Sequence, residues 1–334
     1  MKRILIFASA AIVALASCAK TEVVYKDAPQ EIAFKQITGP MTKADPKLSG
    51  TMGVFAQYNN TNTSTVNEVY FGNTSFSEDG STGNWHATAN KLYWPLEGNL
   101  DFTIYAPYDG TPNVVEYTPA TDANELVINV PDNKSAQTDW LYGSFRYHEK
   151  TKAVQNLPVS LKHALSKISV TVKSGDAGVF KITGLTLNNA FQSGILTITY
   201  ASTTPYTGTC VPSTPGSKET SYTYTKLDGA AISNTAVTSA PISFEDRLVF
   251  PSTTSDGNDR YFVLQYKMAG SDTELSAKIP VTDAWETGKH YTYAITMTAT
   301  EIYLTPTVAS WETGTVAGQG TVGDPIVVAP QSAS

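Results

Sequence analysis

The chain has 334 residues, 23 basic and 30 acidic, for a formal net charge of −7 and an isoelectric point near 5.2. With no run of Lys or Arg, this balance excludes the phosphate-neutralising stripe that nucleic-acid binding requires. Two cysteines exclude a disulfide framework, and together with four histidines they leave little for a zinc site.

Hydrophobic residues make up 41% of the chain, enough to fill a core and unlike a disordered composition. Its 45 threonines and 18 tyrosines favour strands over helices. At roughly 150 residues per domain, the length predicts two domains or one large one.

Met1-Lys2-Arg3 precedes an apolar run from Ile4 to Ala16, too short to span a hydrocarbon core of about 30 Å. A basic start and a short apolar stretch read as a secretory signal over residues 1–17. Leu15-Ala16-Ser17-Cys18 matches the bacterial lipobox, in which the Cys is acylated and becomes the new N-terminus. Ala19 follows, where Asp would favour inner-membrane retention in enterobacteria, so the expected destination is the outer membrane or cell surface, with lipid on Cys18 as the membrane contact. Loss of residues 1–17 removes Lys2 and Arg3, leaving 21 basic and 30 acidic residues, a net charge of 21 − 30 = −9. Cys210 is then a free thiol with no expected chemistry.

No later segment holds a helical period for long. Residues 31–35, 100–105, 125–130, 261–266 and 291–296 alternate as short strands, separated by turn residues such as Glu97-Gly98-Asn99 and Thr287-Gly288-Lys289. The pattern predicts an all-β protein of sandwiches or barrels. Between Val159 and Val172 the apolar phase flips, which a strand with a bulge or break near Ser166-Lys167 accommodates. Asn156-Leu157-Pro158 is a plausible inter-domain connection.

Most chemical motifs fail on context. Gly318-Gln319-Gly320-Thr321-Val322-Gly323 spells a dinucleotide fingerprint, but Asp324-Pro325 follows and no helix can open there. His86, His148, His163 and His290 lack metal-ligand spacing, and His163 falls on the apolar phase of its strand, as a core histidine does. Glu78-Asp79 and Glu245-Asp246 read as solvated acids, and Asp256 to Asp259 lacks the calcium-loop spacing. No catalytic spacing stands out, so the reading is of a non-enzyme that needs neither cofactor nor metal. Trp85 and Trp140 sit in polar contexts and are possible exposed platforms for a sugar, whereas Trp94, Trp285 and Trp311 read as core.

The ordered set of features is more specific than any one of them. It runs from the lipobox through Thr42-Lys43-Ala44, Tyr93-Trp94-Pro95-Leu96-Glu97-Gly98, Leu161-Lys162-His163-Ala164-Leu165-Ser166-Lys167-Ile168 and Trp285-Glu286-Thr287-Gly288-Lys289-His290-Tyr291-Thr292-Tyr293 to Thr307-Val308-Ala309-Ser310-Trp311 and a glycine-rich tail. Nearly the whole chain thereby resembles the fimbrillin family, lipoprotein-derived subunits of the type V pili of Gram-negative gut and oral anaerobes.

The resemblance implies two transthyretin-like β-sandwich domains in tandem. A trypsin-like protease removes the first strand, and a terminal strand of a neighbouring subunit fills the groove. Mapped here, residues 18–43 are a propeptide with the first strand (Ile32 and Phe34 inward), cut between Lys43 and Ala44, where the best-known members present an Arg. Residues 44–157 and 158–314 are the two sandwiches. Residues 315–334 are the donor extension, with Val316, Val322, Ile326 and Val328 on one face. The implied partners are other fimbrillin subunits, the processing protease and a host glycan or protein. The extension favours a stalk subunit; a tip or anchor subunit, or a monomeric glycan-binding surface lipoprotein, are the alternatives.

Overall fold

The computed structural model describes residues 30–36, 50–60, 65–110, 115–118, 123–147, 156–176, 180–200, 209–215, 218–219, 221–252, 259–311, 320–321, 326–329 and 331–332. The first strands are β1 (Phe34–Gln36), β2 (Thr51–Asn60), β3 (Thr65–Glu78), β4 (Asn84–Ala87), β5 (Asn99–Ala106), β6 (Val115–Thr118) and β7 (Ala123–Asn129). Next come β8 (Leu141–Tyr147), β9 (Leu157–Val159), β10 (Lys162–His163), β11 (Ser166–Ser174), β12 (Phe180–Asn188), β13 (Ala190–Phe191), β14 (Ser193–Thr199) and β15 (Thr209–Pro215). Then follow β16 (Lys218–Glu219), β17 (Tyr222–Thr223), β18 (Thr235–Val237), β19 (Ile242–Ser243), β20 (Arg247–Val249), β21 (Tyr261–Met268) and β22 (Glu274–Pro280). Last are β23 (Lys289–Met297), β24 (Ile302–Ser310), β25 (Gly320–Thr321), β26 (Ile326–Val328) and β27 (Gln331–Ser332). The one helical turn among the described residues is a 3₁₀ turn at Lys134–Ala136, so the all-β expectation holds.

The N-terminal sheet has the order β10-β8-β5-β2-β3-β4-β1-β9. Its two end strands are separated in sequence only by Ser160 and Leu161, so the sheet curls round until its ends meet. Alternate residues point inward, as strand geometry requires. Met52, Val54 and Ala56 of β2, Leu100, Phe102 and Ile104 of β5, Phe145 of β8 and Leu157 and Val159 of β9 form one core with Ile32 and Phe34. The sheet takes its last strands from residues 157–163, past the boundary expected at 157. The break in the 159–172 segment lies at the buried pair Ala164-Leu165, slightly before the position that the phase flip suggested.

The C-terminal part is a sandwich. One sheet is β19-β11-β23-β24-β25, with β20 on β11 and β26 on β24; the other is β17-β12-β21-β22-β27, with β18 on β12. β11 alternates without fault, placing Ile168, Val170 and Val172 inward, against Phe262 and Leu264 of β21 in the shared core. In β12 the register shifts between Ile182 and Gly184, which moves the inward set from Phe180 and Ile182 to Leu185 and Leu187. A buried polar group braces this core. Arg260 stacks on the Trp285 ring at 4.1 Å and bonds Ser252 Oγ and the Asp283 carbonyl. Trp285 Nε1 donates to Tyr293 Oη at 2.8 Å, and Tyr293 Oη donates to Asp283 at 3.0 Å.

A further, four-stranded sheet, β15-β14-β7-β6, joins the two halves. Residues 123–129 pair with 193–199 in continuous antiparallel register, Ser193 opposite Asn129 and Thr199 opposite Ala123. Its inner residues, Leu126, Ile128, Leu196, Ile198 and Cys210, cover the outer face of the N-terminal sheet, where Phe55, Tyr105 and Tyr142 lie. This explains why β2 and β5 are buried on both faces instead of alternating. Gly53 permits the closest approach in this layer, because a Cβ there would lie 2.1 Å from the Tyr105 ring.

The same layer is polar at one end. Gln57, Asp101 and Arg146 stand side by side across β2, β5 and β8. Tyr200 Oη donates to Gln57 at 2.7 Å, Asn124 donates to Thr103 at 2.7 Å, and Asn59 donates to Asp101 at 3.1 Å. Burial pushes the Asp101 carboxyl up to about 6, although the Arg146 guanidinium 3.5 Å away and the Asn59 amide pull it down.

A carboxyl whose folded pKa lies above its unfolded value opposes folding once it is ionised, and this cost vanishes as pH falls from about 6 towards about 4. Asp101→Asn keeps the shape without the charge. It is expected to raise the unfolding free energy near pH 7.5, by up to about 3 kcal/mol less what Arg146 loses, and to bring little gain near pH 4.5. Paired urea melts at the two pH values check it.

Candidate functional site

β1 closes the N-terminal sheet with very little backbone. It pairs antiparallel with β4 through Phe34 and Lys35, and parallel with β9 through Phe34, Lys35 and Gln36. Three further bonds extend the ladder: Ile32 N–H to the Leu92 carbonyl (2.7 Å), Trp94 N–H to the Gln30 carbonyl (2.8 Å) and Leu157 N–H to the Ala33 carbonyl (2.8 Å).

The side chains contribute more. Ile32 and Phe34 are fully buried, and the Phe34 ring meets Phe76 and Phe102 edge-on, each at 5.3 Å between centroids. Burying the two is worth roughly 3–6 kcal/mol, and each aromatic pair adds about 0.5–1.5 kcal/mol. Glu31 adds a polar clamp, holding Lys91 at 2.8 Å and His86 at 3.1 Å; these contacts lower its pKa against the opposing effect of desolvation. The segment is thus a plug: two deep apolar side chains on a short, lightly bonded strand. The expected cut at Lys43-Ala44 lies outside the described residues, as does Cys18.

The tail docks elsewhere. Ile326 and Val328 lie opposite Leu304 and Ile302 on the edge of β24, half-buried against the C-terminal core, while Val327 between them is 49% exposed. Gln331 and Ser332 pair with β22 of the opposite sheet, so the tail bridges the open side of the sandwich. The alternation read from the sequence is therefore present at 326–328, whereas Val316 and Val322 lie outside the described residues. The structure does not bring the two sets together: Ile32 and Phe34 fill the N-terminal core, and Ile326 and Val328 flank the C-terminal one.

Trp85 and Trp140 correct an expectation. They are 2% and 3% exposed, Trp85 opposite Phe34 in the β1–β4 ladder and Trp140 beside Tyr105 in the joining layer. Neither offers a ring to a sugar, because local polar neighbours say nothing about long-range sheet pairing. Trp285 is core, and Trp94 packs half-buried against Phe102. Trp311 is half-buried and stacks flat on His163 at 3.7 Å, with Lys167 Nζ 5.7 Å from its ring. His163 is the buried histidine its phase suggested, bonded to Asp139 at 2.9 Å. Cys210 is buried, and desolvation pushes its thiol up to about 12, where it is inert at neutral pH.

One cluster escaped the sequence reading. Ser169 Oγ lies 2.5 Å from Asp246 and 2.6 Å from His290 Nε2, and Asp246 also holds Lys167 at 2.8 Å, so it is an ion-paired acid and not a solvated one. Three residues 77 and 44 positions apart gave no spacing signal. Its wiring is the reverse of a catalytic triad. Ser169 gives its single proton to Asp246, so His290 must donate to Ser169 and cannot act as its base. Desolvation and then Lys167 lower the His290 pKa, which keeps the ring neutral. Among the described residues no group of three or more His, Cys, Asp or Glu gathers to hold a metal ion.

The model of the family described as fimbrillin-like matches residues 42–311. The chain belongs to the fimbrillin-like family. Two solved structures of similar chains repeat this fimbrillin's fold. One, described as a candidate cell adhesion protein of Bacteroides uniformis, is 15% identical with a TM-score of 0.51, the match covering 84% of this chain and 99% of that one. Another of the same description from Bacteroides ovatus is 16% identical with a TM-score of 0.50, over 85% and 98%. The tip fimbrial protein Mfa3 of Porphyromonas gingivalis, truncated at its C-terminus, is 12% identical with a TM-score of 0.43, over 84% and 98%. No curated protein matches the chain in sequence.

Phe34→Ala is expected to destabilise this fimbrillin by about 3–5 kcal/mol, the cost of emptying a site framed by four other aromatic rings. A urea denaturation curve with unchanged slope checks it.

Proposed function

We propose that this fimbrillin is a structural subunit of a cell-surface pilus, of the stalk kind, polymerised by strand exchange after proteolysis at Lys43-Ala44 and serving adhesion. The observation that carries the reading is the plug. Ile32 and Phe34 fill the N-terminal core from a strand with short ladders, and a segment with the same inward–outward alternation waits on a sheet edge at 326–328.

An intact first strand competes intramolecularly, at high effective concentration, so a donor from another copy cannot displace it. Cleavage removes that advantage. A donor strand then gains the apolar burial that Ile32 and Phe34 had, together with main-chain bonds along the exposed edge. The same reading makes other fimbrillin subunits and a trypsin-like protease its partners. The fold neighbours described as cell adhesion proteins support a surface location. Lipid on Cys18 would hold the precursor at the outer membrane before assembly. The rival reading, a monomeric glycan-binding lipoprotein, loses the two tryptophans on which it relied.

Limited trypsin digestion followed by mass spectrometry and native electrophoresis tests the central step. An early cut after Lys43 and a ladder of oligomers are expected. Lys43→Ala abolishes both, and deletion of residues 315–334 abolishes the ladder but not the cut. Nicked protein that stays monomeric overturns the reading.

Lipidation is tested separately in cells. Cys18→Ser is expected to move the precursor from the membrane fraction to the soluble one and to end incorporation of labelled palmitate.

A further inference from the structure

A cavity of about 550 Å³ opens where the two halves meet, within the size range of small-ligand pockets. One wall is the loop 132–135; the other is built from Thr223, Thr225, Glu245 and Arg247. The loop is set in place from behind. Gln137 donates to the carbonyls of Pro131 and Leu248 and accepts from the Leu248 N–H at 2.8 Å. Asn133 caps the 3₁₀ turn through the N–H and hydroxyl of Ser135. Opposite, Thr225 Oγ1 donates to Glu245 at 2.5 Å. The cavity is therefore formed before any ligand arrives, and its lining contains no apolar side chain.

Its floor carries a charge that no described residue pairs directly. Arg247 is 4% exposed, yet it makes no ion pair with a described residue. Its guanidinium bonds only two backbone carbonyls, those of Thr223 and Asp132, and lies 5.6 Å from the centre of the Tyr224 ring. Nε is buried with no partner. A guanidinium has five N–H donors and is costly to bury unless a negative group answers it. Around it, Lys134 and Arg247 balance Asp132 and Glu245, so the walls have no net charge. A doubly charged phosphate would meet the two carboxylates, and an apolar molecule would find nothing to touch. One carboxylate on a ring of hydroxyls suits all the groups: the carboxylate for the arginine, and hydroxyls for Glu245, Asp132, Ser135, Thr223 and Thr225.

We propose that this cavity binds a single carboxylate-bearing sugar unit, with Arg247 as the carboxylate partner and the two flanking acids as hydroxyl acceptors. The site is independent of polymerisation, since the unpolymerised chain presents it complete. Failure of strand exchange would leave it standing, and its failure would leave strand exchange standing.

The test is a ligand-detected NMR titration of the intact protein with glucuronate, galacturonate and N-acetylneuraminate, each against its own methyl ester, which removes the charge and keeps the ring. At least one acid is expected to bind with a dissociation constant of about 1 mM or tighter, and its ester at least tenfold more weakly, a difference of about 1.4 kcal/mol. Arg247→Gln removes binding. Because Arg247 also holds two carbonyls, Ser135→Trp on the exposed wall serves as the second variant; it blocks the cavity without touching the core and keeps the Ser135 N–H that Asn133 caps, so a cooperative urea melt close to the wild-type one is expected. The α-methyl glycoside of the binding sugar separates the sources: a glycan terminus binds as the glycoside, a free sugar does not. No binding by any acid up to about 10 mM, ten times the weakest affinity expected, overturns the proposal. So does an ester that binds as well as its acid, or binding that survives Ser135→Trp.

Discussion

The N–H and C=O groups along a sheet edge must find partners, and in this chain short segments distant in sequence supply them. β1 closes the N-terminal sheet between β4 and β9, and the tail lies over β24 and β22 of the C-terminal sandwich. Both segments use few backbone bonds and rely on apolar side chains placed on alternate positions. A strand held in that way is placed by how its side chains fit the core more than by its backbone bonds, which is what the proposed exchange exploits. The functional reading of the molecule follows from that combination.

The proposed exchange at the ends needs rigidity between them. The joining sheet provides it by pairing residues 123–129 with residues 193–199, so neither half completes its packing without the other. Its inner face buries the outer face of β2, β5 and β8 and tolerates a polar strip there: Tyr200 answers Gln57 and Arg146, and Asn124 answers Thr103. At the other side of the junction, Trp311 stacks on His163, placing the root of the tail against the N-terminal sheet. The tail therefore leaves from a fixed point. In the strand exchange proposed above, such a seam would let the exchanged strands join rigid bodies.

Much was legible from the residues in order. Period-2 alternation marked β5, β7, β21 and β23, and the Ile32/Phe34 and Ile326/Val328 pairs were each assigned the face they take. The inward phase of His163 was also readable. What failed was inference from local polarity. Gly83-Asn84 before Trp85 and Thr138-Asp139 before Trp140 suggested exposure, yet strands from elsewhere cover both rings. Spacing likewise hid the Ser169–Asp246–His290 group and the Arg247 cavity, whose members come from three or more separate elements.

The sequence alone determined the class of structure and the faces of its end segments: strands rather than helices, a first strand with one apolar face and a tail with another. These are local properties, set by side-chain size, branching and alternation within a few residues. Only the tertiary structure decided which edges those segments cover, that a sheet drawn from both halves joins them, and that Arg247 is buried with no ion-pair partner among the described residues. Pairings between residues tens to hundreds of positions apart are fixed by how the faces fit in space, and a strand's own sequence names the face it buries but not the neighbour it meets.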